Sequence, residues 1–338
     1  SNDINMQKDK IQLYQNQVFV TDNVEGIVPE FLTLLRGVID SPDIPLNVSR
    51  SYLQADGAVK KISNYITRKV ADKLNSLYKK DRKGFEEKWN DIKVVIEYGM
   101  LSEDKFFEKA QKFALYPTVN NEYFTFEELK EKISKTQTDK DGNLIILYAS
   151  NINEQHSYVE SAKAKGYEVL LLDSPIISHL IQKIETSNEK LNFTRVDSDV
   201  IDKLIKKDEK EVSKLDDKEK EKLKTIIEEV VPKEKYTVQI EAIESSSPPF
   251  VITVPEFMRR MKEMQQSGGN GMFGNMPEMY NLIINVNNPI CSDILNSKGK
   301  AKKERLINQS LDLAKLSQNL LKGEELTSFI KRSLDLIK

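Results

Sequence analysis

Residues 143–149 read N-L-I-I-L-Y-A, and residues 167–172 read Y-E-V-L-L-L. Both runs are short, continuous and apolar, which is typical of parallel strands that are covered on both faces. The segment between them, 154–165, has helical spacing and ends at Gly166, a residue that suits the left-handed position after a helix. Strand, helix and strand in this order predict a βαβ layer with a parallel sheet.

The chain continues from this layer into a second helix, for which Ser174 and Pro175 form a plausible N-cap and first-turn pair. The layer contains neither G-x-G-x-x-G nor G-x-x-x-x-G-K-[ST]. The sequence therefore shows no nucleotide-binding fingerprint at this place.

The regions on either side of the layer alternate between strands and helices. Upstream, we expect a strand over 12–21, a helix from Ile27 that ends near Asp40, and a helix from about Ser49, followed by further helices up to Pro117. Downstream, we expect a charged helical run over 199–235, strands over 236–244, 250–254 and 280–286, and helices over 255–266, 289–295, 301–321 and 324–337. The sequence thus predicts an α+β or α/β protein of several domains.

Composition narrows the class of protein. The chain has 338 residues, of which 39% are hydrophobic and 31% charged, so we expect small cores surrounded by charged helices. The net charge of −2 argues against a general nucleic-acid binder, and no apolar run approaches the roughly 20 residues of a membrane span. The single cysteine, Cys291, excludes an internal disulfide and fits a reducing compartment, so we expect a cytoplasmic protein.

A loop rich in proline carries the strongest candidate for chemistry. Residues 37–54 read G-V-I-D-S-P-D-I-P-L-N-V-S-R-S-Y-L-Q. The prolines stiffen the loop, and Arg50 and Gln54 lie four residues apart on the first turn of the helix that follows. A guanidinium held in this way suits a phosphate, although an exposed arginine after a Ser49 N-cap is the simpler interpretation of the residues alone.

This loop closely resembles the catalytic loop in the middle domain of the heat shock protein 90 chaperone family, in particular its bacterial HtpG branch. The resemblance extends over nearly the whole chain. It includes the residues 18–23, 27–31, 113–116, 166–170, 173–176 and 247–249.

The resemblance also implies that parts of the family's architecture are absent. The N-terminal ATPase domain and the first part of the middle domain have no counterpart here, so we expect a fragment with an incomplete first sheet. The acidic tail of cytosolic eukaryotic members is missing, which points to a bacterial type.

The family's architecture implies an α-β-α layered middle domain with a helical coil, then a mixed α/β C-terminal domain that ends in a helical dimerisation bundle. On this basis we expect four segments. They are the C-terminal part of the large middle subdomain with the catalytic loop (1–79), the helical coil (80–116), the small αβα subdomain (117–195) and the client-binding and dimerisation domain (196–338).

The same resemblance implies roles for Arg50 and Gln54. Arg50 would reach the γ-phosphate of ATP, with Mg, bound by the N-terminal ATPase domain of the same chain, and Gln54 would support the phosphate or the loop. A delocalised cation with matched donor geometry stabilises the charge on the phosphoryl oxygens. The full-length protein is expected to be an ATPase, whereas this fragment alone is not expected to hydrolyse ATP or to hold a bound cofactor.

A methionine cluster forms the second functional signal. Six of the eight methionines lie between Met258 and Met279, and Phe257, Met261 and Met264 share one side of a helix. Flexible thioethers suit a surface that accepts many apolar partners, but the pattern alone slightly favours packing into the core. The resemblance implies client binding by this helix, because the family's C-terminal domain binds unfolded or partly folded proteins there.

The C-terminal helices form the third signal. They carry more apolar residues than one hairpin can bury, including Leu313, Leu320, Phe329 and Leu334. Exposed apolar helix faces of this size usually pack against another chain. A four-helix arrangement with two-fold symmetry would bury these faces in both copies. The family forms homodimers in this way.

No metal site is expected, because His156 and His179 have no neighbours with ligand spacing. The leading hypothesis is therefore a fragment of an ATP-dependent chaperone of the stress response, with no nucleic acid or membrane as partner. The alternative is a non-catalytic dimeric scaffold that only binds proteins. An autonomous nucleotide enzyme is the weakest hypothesis, because the chain lacks a phosphate loop.

Overall fold

The computed structural model describes residues 11–22, 24, 26–33, 35–42, 57–208, 211–268 and 279–337. The chain divides into two compact units. The first comprises Ser1–Tyr116 and Tyr123–Leu129, and the second comprises Pro117–Glu122 and Lys130–Lys338. The mixture of helices and several small sheets confirms the predicted α+β multidomain class. Our finer division into four segments stays a prediction.

The first unit contains a three-stranded sheet of order β2-β1-β3, in which β1 pairs with β2 antiparallel and with β3 parallel. The strands are β1 (Ile11–Gln15), β2 (Val18–Thr21) and β3 (Gly37–Asp40), with a 3-10 helix at Glu30–Leu32 between the last two. The helices that follow are α1 (Gly57–Lys80), α2 (Arg82–Glu87), α3 (Trp89–Ser102) and α4 (Asp104–Ala110).

Aromatic side chains form the core of this unit. The rings of Phe31 and Phe106 lie 4.7 Å apart, and Phe106, Phe113 and Phe85 follow in edge-to-face contacts. Trp89 completes the cluster beside Phe85. Edge-to-face pairs add to the stability gained from burial alone, so this cluster holds the 3-10 helix against α3 and α4.

Two predictions for this unit were wrong. The expected single strand over 12–21 is a hairpin, because Asn16 and Gln17 adopt positive φ angles of 51° and 67° and turn the chain back. The expected helix that ends near Asp40 is the short 3-10 helix and then β3. Pairing of β3 with β1, in the register Ile11 with Gly37, outweighs the helical spacing of the apolar residues.

The chain then passes through β4 (Tyr116–Pro117), β5 (Tyr123–Phe124) and α5 (Phe126–Ile133). The predicted βαβ layer follows in the second unit as an all-parallel sheet of order β7-β6-β8, and Gly166 has the expected positive φ of 74°. Its elements are β6 (Leu144–Ala149), α6 (His156–Ala164), β7 (Val169–Leu171), α7 (Ile177–Thr186) and β8 (Leu191–Arg195). Helix α7 begins at Ile177 rather than at Ser174, since the carbonyl of Ser174 accepts the Ile177 N–H in a preceding turn.

A second sheet, of order β10-β11-β9, occupies the rest of the unit. The charged run that we expected to be helical contains α8 and α9 among its described residues, and α9 begins with a capping box between Asp216 and Glu219. The remaining elements are α8 (Ile201–Leu204), α9 (Asp217–Glu228), β9 (Tyr236–Glu241), β10 (Phe250–Thr253), α10 (Glu256–Gly268), β11 (Tyr280–Asn285), α11 (Pro289–Asn296), α12 (Lys300–Ser317) and α13 (Gly323–Ile337).

Candidate functional site

Helix α10 presents its apolar side to solvent. The side chains of Phe257, Met258 and Met261 are exposed by 71%, 41% and 39%, and Met264 is half-buried. A helix at the surface of a domain normally turns its apolar side toward the core. Exposed apolar groups at this spacing usually mark a surface that binds another molecule.

The opposite, charged side of α10 faces the protein. Arg260 donates from Nε to Glu256 at 2.7 Å, from Nη1 to Glu185 at 2.7 Å, and from Nη2 to the carbonyl oxygen of Phe193 at 2.5 Å. Glu185 lies in α7 and Phe193 in β8. One guanidinium therefore joins α10 to both elements, with the fork geometry that arginine offers and lysine does not.

Arg259, the neighbouring residue, is almost fully buried. Its Nη2 donates to the Tyr148 hydroxyl and to Glu256, both at 2.5 Å, and its Nη1 lies 2.7 Å from Glu263. Burial works to raise the pKa of Glu256, but the charges of Arg259 and Arg260 outweigh it and hold that pKa below its ordinary value. The network is therefore charged, and each charge has an opposite partner.

Two of these carboxylates also close the edge of the parallel sheet. Strand β8 is an edge strand, so its outer N–H groups have no neighbouring strand. Phe193 N–H donates to Glu185 at 2.7 Å, and Arg195 N–H donates to Glu256 at 3.1 Å. The side chains of α7 and α10 thus take the place of a further strand.

This arrangement determines the rotation of α10 about its own axis. The charged residues Glu256, Arg259, Arg260 and Glu263 follow each other at helical spacing, so all of them reach the sheet at once. Turning the helix to bury Phe257 would leave several charges without partners in a buried place, which is costly. The apolar residues consequently remain at the surface.

The structure also places the predicted dimerisation residues. Leu313 and Leu334 are exposed, whereas Leu320 and Phe329 are half-buried, and Leu320 packs against the core formed by the second sheet. Helices α12 and α13 are joined by an Arg332–Asp312 ion pair and by Lys315–Glu325 at 3.0 Å. Among the side chains of these two helices that the structure describes, the exposed large apolar ones are Leu313, Leu316, Ile330, Leu334 and Ile337.

Arg50 and Gln54 lie outside the residues that the structure describes. Hydrogen bonds hold the segment that precedes their loop. Gln17 N–H donates to both oxygens of Asp40, at 3.2 and 3.1 Å, and Gln15 Nε2 donates to the carbonyl oxygen of Pro42 at 3.2 Å. The turn of the β1–β2 hairpin therefore holds the chain where it enters the loop.

A metal site and a membrane-spanning helix would be two further functional features. Within the described ranges, we find no group of three or more His, Cys, Asp or Glu side chains placed to hold a metal ion. None of the helices in these ranges combines the length and apolar character needed to cross a membrane.

Sequence reasoning found the apolar side of α10 but missed the residues that orient it. Arg259, Arg260, Glu256 and Glu185 were not among the candidates. The pattern E-F-M-R-R-M-K-E over 256–263 does contain the signal, since its charges recur at three- and four-residue spacing. Such a pattern usually indicates a solvated side, and only the half-buried Glu185 of α7, which pairs with Arg260, reveals the opposite orientation.

Comparison with known proteins identifies the family. The family model described as Hsp90 protein matches residues 1–329. A chaperone protein HtpG from Bacteroides thetaiotaomicron is 44% identical and aligns with 99% of this chain and 59% of its own length. Those from Porphyromonas gingivalis and Geobacter sulfurreducens are 45% and 30% identical, over 93% and 54% of this chain and 47% and 29% of their own lengths.

The chain thus spans about three fifths of the length of the Bacteroides relative and a smaller share of the other two. The match to the family model extends over nearly all of its residues, and the Bacteroides and Porphyromonas proteins are similar over both units. This chain belongs to the Hsp90 protein family.

Proposed function

We propose that this chain is the client-binding and dimerising part of an ATP-dependent molecular chaperone of the cytoplasm. The observation that carries the proposal is the exposed apolar side of α10, held outward by buried ion pairs. Phe257, Met258 and Met261 offer an aromatic ring and two flexible thioethers. Such side chains adapt to many apolar sequences, as an unfolded client requires.

The energy source belongs to the same proposal. Arg50 contacts the γ-phosphate of ATP, with its Mg, in the full-length protein, and Gln54 supports the loop. A guanidinium supplied by a neighbouring domain contributes on the order of 10³ in rate in other phosphoryl-transfer enzymes. The relatives' names, chaperone protein HtpG, support the chaperone class.

A non-catalytic dimeric scaffold remains the second candidate, because the α/β layer and charged helices could bind partner proteins without ATP. The two candidates differ in their preferred partner. A chaperone binds an unfolded chain in preference to the folded form of the same protein, whereas a scaffold binds folded partners.

The test replaces the exposed apolar residues of α10. The triple variant Phe257→Ser, Met258→Ser, Met261→Ser should bind an unfolded, reduced and alkylated client at least about tenfold more weakly, because each buried apolar side chain contributes about 1.5–3 kcal/mol. The melting temperature should be nearly unchanged, since these side chains are exposed.

Val212→Ser provides a matched control, since Val212 is an exposed apolar residue of the same unit outside α10. It should leave client affinity intact. If the triple variant melts at a much lower temperature, these residues belong to the core. If it binds the client as well as the parent chain, α10 is not the client site.

A further inference from the structure

A cleft of about 620 Å³ lies beside Phe257, on the outer side of the β8 edge. Its walls come from the turn before β6, from the segment after β8, and from the first residues of α10. Its lining combines apolar side chains, including Phe257 and Pro255, with polar and charged ones. The cleft therefore adjoins the proposed client surface, and any role of the cleft in client binding rests on that proposed function.

Carboxylates outnumber cations along the lining of this cleft. Five acidic and three basic side chains give a net charge of −2. The acidic residues are Asp139, Asp141, Glu185, Asp199 and Glu256, and the basic ones are Lys203, Lys206 and Arg260.

Two of the three cations already form ion pairs with carboxylates other than Asp139, Asp141 and Asp199. Arg260 holds Glu185 and Glu256, and Lys203 forms an ion pair with Glu241, which is not part of the lining. Lys206 is left to balance Asp139, Asp141 and Asp199. The local excess of negative charge in the cleft is therefore larger than the sum over the lining suggests.

Asp199 is a partly buried carboxylate of this cleft. Burial raises its pKa, although the Val200 N–H, 2.8 Å from Oδ1, and the nearby Lys203 work against it. Within the described ranges Asp199 forms no salt bridge. A cation entering the cleft would restore the stabilisation that the carboxylate loses on leaving water.

Asp139 contributes a second charge of a different kind. Burial works to raise its pKa, but hydrogen bonds from Asn143 and from the Asp141 N–H outweigh it, so the pKa lies below the ordinary value. Asp139 is therefore ionised at neutral pH. Its turn also presents Asp141, which is exposed at the mouth of the cleft.

The positions of these carboxylates favour a long, flexible cation over a metal ion. Asp139 and Asp141 come before β6, whereas Asp199 follows β8, and the described residues contain no group placed for metal ligation. A lysine or arginine side chain can enter along its apolar stem and place its charge between separate carboxylates.

We propose that this cleft binds a lysine or arginine side chain of an extended client segment whose neighbouring apolar residue packs on Phe257. The site thereby selects client segments in which a basic residue stands next to apolar ones. Apolar contact with α10 supplies most of the affinity, and the cleft adds a preference for the basic residue.

The test uses two fluorescein-labelled peptides that differ at one position, with the same leucine-rich sequence around a central Lys or a central Gln. Fluorescence anisotropy of the full chain should show about threefold tighter binding of the Lys peptide, the size expected for a partly solvated ion pair. The preference should shrink at about 0.5 M salt, because salt screens such pairs.

Asp141→Asn and Asp199→Asn, alone and together, should remove the preference for Lys without weakening the Gln peptide. Asp141 is an exposed turn residue, so its variant keeps the test valid if Asp199→Asn lowers stability. Asp217→Asn, at an exposed site on α9, is the matched control and should keep the preference.

The possible outcomes separate this inference from the proposed function. Equal binding of both peptides, lost in the α10 triple variant, would overturn the cleft and leave client binding by α10 intact. Binding of neither peptide would contradict client binding itself. An unchanged preference in the Asp141→Asn, Asp199→Asn double variant would also overturn the cleft.

Discussion

Gly99 is the single residue on which the packing of the first unit depends most closely. A Cβ atom at this position would lie 2.8 Å from the Phe31 ring and 2.9 Å from the Phe106 ring. Both rings are fully buried and pack against each other, so neither can move away at low cost. Glycine is thus required in the middle of α3 by its neighbours, and not by its own backbone angles.

We expect Gly99→Ala to destabilise the first unit by about 1–3 kcal/mol, as overpacking of a core does. This loss exceeds the roughly 0.5–1 kcal/mol that alanine gains over glycine within a helix. Urea unfolding followed by Trp89 fluorescence measures the change, because Trp89 lies in the same aromatic cluster.

Gly57→Ala is the matched control, since nothing lies within 4 Å of a Cβ at that position in α1. It should leave stability unchanged or slightly increased. If both variants unfold at the same urea concentration as the parent chain, the close approach of Phe31 and Phe106 to Gly99 carries no energetic weight.

The burial of Cys291 leads to a prediction about how folding stability depends on pH. The thiol is fully buried at the start of α11, and burial raises its pKa to about 12 from an ordinary value of 9.0. Above about pH 9 the unfolded chain releases the thiol proton while the folded chain keeps it, so this group lowers stability as pH rises toward about 12.

The difference in unfolding free energy between the parent chain and Cys291→Ala isolates this effect, because all other titrating groups are shared. The difference should be constant below about pH 8.5 and then shift against the parent chain by up to about 1.4 kcal/mol per pH unit. A flat difference up to pH 11 would show that the thiol ionises equally in both states.

At the scale of elements, α10 is oriented by charge and not by hydrophobic burial. Its guanidinium groups reach α7, β6 and β8, so the helix completes the parallel sheet while its apolar side stays outside. The charged residues that close the sheet and the exposed apolar residues thereby lie on opposite sides of one helix.

Arg260→Leu should loosen this attachment. Loss of one partner from a buried ion pair costs about 3–5 kcal/mol, here reduced because Arg259 still neutralises Glu256. Hydrogen–deuterium exchange should therefore increase in the amides of α10 and at the β8 edge, and client affinity should fall although Phe257 is retained.

Arg305→Leu serves as the control, because it removes an exposed arginine from α12 without touching this network. It should leave exchange in α10 unchanged. Equal protection of α10 in both variants would mean that the ion pairs do not hold the helix.

The elements also show where local patterns suffice. The runs at 144–149 and 169–171 are correctly predicted as parallel strands because burial on both faces leaves a continuous apolar signature. Strand β3 is missed because its identity comes from pairing with β1, more than twenty residues earlier in the chain. No local spacing records such a partner.

At the scale of the whole molecule, the exposed residues of α12 and α13 lead to a prediction about assembly. Leu334 and Ile330 of α13 and Leu313 of α12 are exposed, so these two helices present apolar surface to solvent in a single chain. We expect a homodimer that covers this surface. The double variant Phe329→Glu, Leu334→Glu should halve the mass in light scattering, because two added charges per copy oppose burial.

Thr327→Glu with Lys331→Glu is the matched control, since it also places two carboxylates on exposed positions of α13. This variant should keep the mass of the parent chain. If the parent chain already scatters as a single copy at micromolar concentration, the dimer proposal is wrong.

The proposed ATP cycle is tested in a chain of the relatives' full length. Arg50→Ala should lower the rate of ATP hydrolysis by on the order of 10³ while nucleotide affinity changes little, because the guanidinium acts on charge that develops in the transition state. Lys73→Ala, an exposed cation of α1, should leave turnover unchanged. Normal turnover in the Arg50 variant would remove the assigned role.

Residue type and local spacing are enough to predict the fold class, the parallel layer and the apolar side of α10. The outward orientation of that side follows from contacts between residues far apart in the chain. The spacing of residues 256–263 separates two sides but does not say which one meets the core. That choice depends on the Tyr148 hydroxyl, on Glu185 and on the Phe193 carbonyl at the edge of β8, which accept hydrogen bonds from the arginines and make their burial more favourable than burial of Phe257.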